Sequence, residues 1–175
     1  MLAGGNRPAR GSAPGGGEDG KGTRNAGGTN TAMGDFIIRT GDLVKVTIPP
    51  PAVVPMLEAP MPLEGSGANV LVQGMPICLL GDELPDELKE PLPYTAPPYT
   101  IPGTGTLTLT LLPPNMTART SRGKPILIKG QRFPALFTVE TPASQPTTAG
   151  PVPDPVGVKE GTAEFITTNE TVTAS

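Results

Sequence analysis

The chain has 175 residues, 23 of them Gly and 24 Pro, so more than a quarter of positions carry the two residues least compatible with a helix. One Cys, no His and no Trp exclude an intrachain disulfide, a Cys/His zinc finger and a His-based catalytic triad. A net charge of −3 with 3% aromatics fits no nucleic-acid binder, which needs a basic patch and stacking rings.

Residues 1–34 hold 11 Gly with Arg7, Arg10, Lys21 and Arg24 interspersed, and read as a flexible tail. No apolar stretch follows Met1, so no signal peptide is expected. Met33–Gly34–Asp35–Phe36 offers a second translation start beside Met1, which an intact mass containing residues 1–32 would exclude. From Phe36 the composition changes. Val, Ile, Leu and Phe are concentrated between positions 36 and 143 and sparse on either side. Residues 35–143 are therefore expected to form one β domain, the only part able to offset its chain entropy by burial.

Within that domain Leu43–Ile48 alternates, placing Val44, Val46 and Ile48 on one face of a strand. Val70–Leu71–Val72 is a shorter apolar strand. Pro85–Glu90 is the one helical candidate, a single turn with Pro at its start and acidic residues early. Thr106–Leu111 alternates Thr with Leu and is extended on both faces. Ile126–Leu127–Ile128 is the last apolar strand of this region. Pro at 49–51, 91, 93, 97–98 and 113–114 marks turns and strand edges between them. Residues 144–175 are Pro- and Thr-rich and are expected to form an extension, in which Glu164–Thr168 can pair as an edge strand. No apolar run is long enough for a transmembrane helix.

An internal repeat is visible. Val70–Leu71–Val72–Gln73–Gly74 matches Ile126–Leu127–Ile128–Lys129–Gly130 position for position. Each copy leads through a Gly and a Pro into a further apolar stretch, Ile77–Leu80 or Ala135–Phe137. The unit reads as a β-hairpin, and two of them make an all-β domain.

The stretch Gly65–Asp82 resembles the core of the PAAR-repeat family, with Asn69, Val70, Val72, Gly74, Pro76, Gly81 and Asp82 in register. Gly41–Asp42 is similar to the Gly-Asp that opens that family's domain, and Lys124–Gly130 to its second half. The family's Pro-Ala-Ala-Arg is Pro76–Ile77–Cys78–Leu79 in this chain, and the His and Cys ligands of its zinc-closed tip are missing. No metal or cofactor is therefore expected, and Cys78 reads as a buried, inert thiol.

The resemblance implies an all-β fold, a small cone of short β-hairpins. It implies a non-enzymatic tip that caps the trimeric β-helical spike of a contractile injection system, one chain per trimer. Such a system is a phage tail-like particle, an extracellular injection machine or a type VI secretion apparatus. The tip is assembled in the cytoplasm, then meets a target membrane or envelope transiently, and its tails are possible carriers of cargo. The strand residues Val44, Val46, Val70, Val72, Ile126 and Ile128 are the expected contact with the spike, through strand addition.

Two readings stand beside this one. A tail-fibre, capsid-decoration or adhesion module also suits Pro/Thr-rich flanks. A hydrolase would have to use the carboxylates of Asp82, Glu83, Asp86, Glu87 and Glu90, but no apolar enclosure is visible around them, and a solvated loop is the plainer reading. Arg119, Arg122, Lys124, Lys129 and Arg132 form the only basic concentration.

Overall fold

Fourteen short strands and three single 3-10 turns account for the regular structure of residues 34–175, the part that the computed structural model describes. The Gly-rich tail and the Met33 start lie outside the described residues. In chain order the strands are β1 (Asp35–Phe36), β2 (Leu43–Thr47), β3 (Met61–Pro62), β4 (Gly67–Val72), β5 (Met75–Ile77), β6 (Leu92–Ala96) and β7 (Tyr99–Leu109). Then follow β8 (Met116–Ser121), β9 (Lys124–Leu127), β10 (Phe133–Thr141), β11 (Ser144–Gln145), β12 (Val152–Pro153), β13 (Val158–Ile166) and β14 (Thr173–Ala174). The fold is all-β, as expected from the alternating strands and the hairpin unit. The predicted helical stretch is one 3-10 turn, Asp86–Leu88, that buries Leu88.

The main sheet is antiparallel and runs β12-β11-β7-β10-β13-β2-β3, with β6 also on β7. Alternation sends Val44 and Val46 of β2, Leu107 of β7 and Phe133, Ala135 and Phe137 of β10 into one core. Tyr94 and Phe137 meet edge to face, ring centroids 5.5 Å apart. They fit because β7 carries Gly103 and Gly105. A Cβ at Gly103 would lie 2.5 Å from the Tyr94 ring, and one at Gly105 would lie 2.7 Å from the Phe137 ring. These two glycines are the slots in which the largest core rings sit. β7 itself begins at Tyr99, well before the predicted Thr106.

Two expectations are corrected. The segment Glu164–Thr168 is not a separate edge strand, although its paired residues, Glu164–Ile166, bond to β2 alone. Its first residues end β13, which pairs with β10 on one side and with β2 on the other. Residues 144–175 thus supply an interior strand, and the composition break at 143 is no break in the sheet. β13 escapes a count of large aliphatics because it buries only Ala163 and Phe165 and alternates them with Thr162 and Glu164. Its place is fixed by hydrogen bonds on both edges.

The repeat is the second correction. Ile126–Ile128 does not turn at Gly130 to pair with Ala135–Phe137. β9 pairs backwards with β8 through Arg122–Gly123, while β10 pairs with β7 and β13. The equivalent of Gln73–Gly74–Met75–Pro76–Ile77 is therefore Arg122–Gly123–Lys124–Pro125–Ile126. Both turns have two consecutive positive φ values, 50° and 81° in one and 53° and 76° in the other. That is the signature of the type I′ turn, whose twist matches the strands it joins.

Candidate functional site

With the alignment of the repeat corrected, a third copy of the motif emerges. Phe36–Ile37–Ile38–Arg39–Thr40–Gly41–Asp42, Pro76–Ile77–Cys78–Leu79–Leu80–Gly81–Asp82 and Pro125–Ile126–Leu127–Ile128–Lys129–Gly130–Gln131 correspond residue for residue in their hydrogen bonding. Cys78 N–H donates to Ile38 O (2.8 Å), Leu127 N–H to Cys78 O (3.0 Å) and Ile38 N–H to Leu127 O (3.0 Å). Further along, Thr40 N–H donates to Pro76 O (2.8 Å), Leu80 N–H to Pro125 O (2.9 Å) and Lys129 N–H to Phe36 O (2.9 Å). Each set closes a cycle. The three segments are the sides of a triangle in which the late part of each pairs with the early part of another.

The triangle separates two apolar layers. Ile38, Cys78 and Leu127 are fully buried and belong to the main core. Ile37, Ile77 and Ile126, with Leu79, Ile128 and Val72, form a second, smaller cluster. Arg39 stands where Leu79 and Ile128 stand in the other two sides, and its guanidinium donates to Val72 O and Thr168 Oγ1.

Each side of the triangle is fed by a hairpin. β4–β5 feeds the second side and β8–β9 the third. The first is fed by β1 paired with β14, in the same register, Phe36 facing Thr173 as Pro76 faces Leu71 and Pro125 faces Thr120. No tight turn joins these two strands: Gly34 and Ala174 lie side by side. Asn169 holds this split hairpin together. Its amide donates to Ile37 O and Val172 O, and its Oδ1 accepts from Thr171 N–H and Val172 N–H.

The Gly-Asp pairs cap the ends of the sides. Asp42 is buried, and its carboxylate accepts from Arg39 N–H (3.0 Å), Thr167 Oγ1 (2.7 Å) and Thr168 N–H (3.0 Å). Asp82 does the same for its own side, accepting from Leu79 N–H, Ser66 N–H and Ser66 Oγ at 2.8 Å each. The third side has Gln131 in place of Asp, and two borrowed groups substitute. Asp35 Oδ2 accepts from Gly130 N–H, and the Asn115 amide donates to Lys129 O and Gln131 O.

A family model described as contractile injection system spike tip protein matches residues 33–175. The chain belongs to that family. No curated protein is similar enough to the chain to count as a match.

In this spike tip protein the residues predicted for the partner contact fall mostly inside. Val44, Val46, Val72, Ile126 and Ile128 are buried, the first two in the main core and the others in the smaller cluster. Val70 is exposed, together with its hairpin neighbours Leu71 and Met75. The signal that alternation gives is burial, and it cannot separate a core from an interface. Cys78 is buried, and that burial, with the charges of Asp82 and Asp42, pushes its thiol up, away from the reactive thiolate.

The acidic stretch is solvated or engaged. Gly81 N–H donates to Glu83 (2.6 Å), Asp86 pairs with Lys89 (2.5 Å), and Glu87 and Glu90 are exposed. Of the basic residues, Arg132 pairs with Glu164 (2.9 Å), while Arg119, Arg122, Lys124 and Lys129 are exposed around the second hairpin. No helix among the described residues is long and apolar enough to cross a membrane. One buried polar cluster was not foreseen. Tyr94 OH accepts from Ala143 N–H and donates to Asp154, which pairs with Lys159.

Proposed function

We propose that this spike tip protein caps the end of a trimeric β-helical spike, one chain on three, and acts mechanically rather than as an enzyme. The observation that carries this reading is the closed triangle. One chain repeats the same hydrogen-bonded side three times, and a threefold end presents three equivalent surfaces. A monomer built this way can meet all three at once. The hairpins that feed the triangle offer strand edges for addition to the spike. Val70, Leu71 and Met75 supply apolar contact at one corner, and Arg119, Arg122 and Lys124 supply charge at another.

A non-enzymatic role agrees with the state of the carboxylates. Asp42 and Asp82 are spent on backbone N–H groups, and the remaining acidic residues of the predicted stretch lie on or beside an open turn. Transient contact with a target membrane or envelope, and cargo joined through the tails, follow from the same reading.

Mixing the purified chain with the spike protein of the same injection system, followed by native mass measurement, tests it. The expected complex holds one tip chain and three spike chains. A one-to-one chain ratio, or no complex, would overturn the reading.

A further inference from the structure

The main sheet curls almost into a ring. β2, β13, β10, β7 and β6 pair each with the next. The loop after β2 then reaches β6 from the other side. Val53 N–H donates to Thr95 O (2.8 Å) and Thr95 N–H to Val53 O (2.9 Å). The 3-10 turn that follows, Pro55–Leu57, touches both β2 and β6. Val54 and Leu57 are buried in the core that these strands enclose. The ring is open at one seam, between the late half of β2 and residues 52–54.

β3 covers only the early part of that edge, at Leu43 and Val44. Past it the edge is bare. Leu63 N–H donates to Asp42 O on the β3 side of β2, and Val139 N–H donates to Gly157 O on the β10 side of β13. Alternation from either bond turns the N–H and C=O of Val46 away from β13 and into the seam. Neither group has a partner among the described residues, although Val46 is only 4% exposed. A backbone pair left unmatched at that depth is rare and costly. Beside it lies a groove of about 340 Å³ whose lining includes Ile48, Ala52, Val54 and Leu57, with Lys45 and Glu58. The neighbouring loop is poorly equipped to fill it. Pro49, Pro50, Pro51 and Pro55 have no N–H to give, and Val53 has spent both of its groups on Thr95. The other end of the sheet carries Pro153 on its outermost strand, β12, which blunts that edge.

We propose that the seam is a docking site for one extended strand of a partner protein, which lies against β2 and completes the ring. The chemistry of the site names the occupant. An N–H and a C=O on one residue of a strand edge are matched by the C=O and N–H of a single facing residue in an antiparallel strand. The walls of the groove call for small aliphatic side chains on the inward face of that strand, and its outward face is free to be polar. A small apolar ligand would leave the two backbone groups unmatched, and an ion would leave the walls unmatched. The seam lies on the flank of the sheet rather than on the triangle, so the proposal goes beyond the capping reading and stands without it.

Titration of the isotope-labelled full chain with a blocked heptapeptide of alternating threonine and valine tests it. Saturable shifts of the Val46, Thr47 and Val54 amide signals are expected, with slower hydrogen exchange at Val46. Paired residues share a face, so a valine of the peptide faces Val46, and N-methylation of the valines is expected to abolish the shifts. Val46→Pro removes an N–H that has no partner in the free protein, and is expected to weaken binding about tenfold. Melting curves establish that this variant folds, and if it does not, the N-methylated peptide makes the same test on the wild type. Val152→Glu, on β12, is expected to leave the titration unchanged. No shift at millimolar peptide, shifts centred on β12, or equal binding of the N-methylated peptide overturns the proposal.

Discussion

Asp154 shows how one buried ion pair ties a Pro-rich segment to the sheet. Burial by itself pushes its carboxyl up. The hydrogen bonds from Lys159, Val156 N–H and Tyr94, with the Lys159 charge, outweigh that and hold it below the ordinary 3.8. A depressed pKa contributes stability that is present above 3.8 and is lost as pH falls through the lower folded value. Asp154→Asn leaves Lys159 buried without its counter-ion, which costs about 3–5 kcal/mol in comparable sites. The melting temperature of that variant is expected well below wild type at pH 7. The gap should narrow as pH falls below 3.8 and close through the lower folded value, where the wild-type carboxyl is protonated too. A gap independent of pH would show that the pair carries no such weight. Asn169 is the second residue of this kind, with all of its amide used. Asn169→Leu leaves Ile37 O and the Thr171 and Val172 N–H groups without a partner, while Val172 O keeps its bond from Ile37 N–H, and a loss of roughly 1–3 kcal/mol in chemical denaturation is expected from the buried Ile37 carbonyl.

Hairpins set the scale above. Both tight turns place a non-glycine residue at positive φ before the Gly, Gln73 in one and Arg122 in the other. Asn is the residue best suited to that position. Gln73→Asn combined with Arg122→Asn is expected to raise the melting temperature, and Gly74→Ala to lower it by the equivalent of about 1–2 kcal/mol. No neighbour lies within 4 Å of the Cβ that Ala would add at Gly74, so its cost is that of the backbone alone.

These elements also mark how far the sequence can be read. The alternation in 43–48 and 106–111 locates two core strands, because one buried face leaves a period of two. Gly74 locates a turn, whereas the capping role of Asp82 emerges only from its bonds to Leu79 and Ser66. The partner of each strand is not written locally. Lys129–Gly130 looks like the turn after Val72, yet Gly130 packs on Pro114 and the real turn is the earlier Arg122–Gly123. β13 hides because Ala163 and Phe165 are its only buried residues, and a strand bonded on both edges needs few large side chains. Residues 101–104 and 141–144 meet at one end of the main sheet although they lie far apart in the chain, which only the registers reveal.

At the scale of the whole described unit, the triangle is closed by the two ends of residues 34–175. Asp35 lies opposite Ala174, where the other two corners have two-residue turns. A circular permutant follows from this. Joining Ser175 to Gly34 through Asn-Gly and opening the chain between Gln73 and Gly74 moves the break from one corner to another. It is expected to fold with an unchanged far-ultraviolet dichroism spectrum and a cooperative melt. Loss of the cooperative transition would show that the three corners are not interchangeable.

The same triangle has a consequence for counting and for imaging. On the capping reading proposed above, a tip turned by one third of a revolution on a threefold spike would meet the same three surfaces with its sides exchanged. Three poses are then indistinguishable from the spike's side, which multiplies the association constant by a statistical factor of three and asks nothing of the approach angle. Yet β6, β7, β10 and β13 occur once. Averaging particles with threefold symmetry imposed would keep the triangle sharp and blur the sheet above it into a featureless stump. Relaxing the symmetry at the last few nanometres of the spike would recover it.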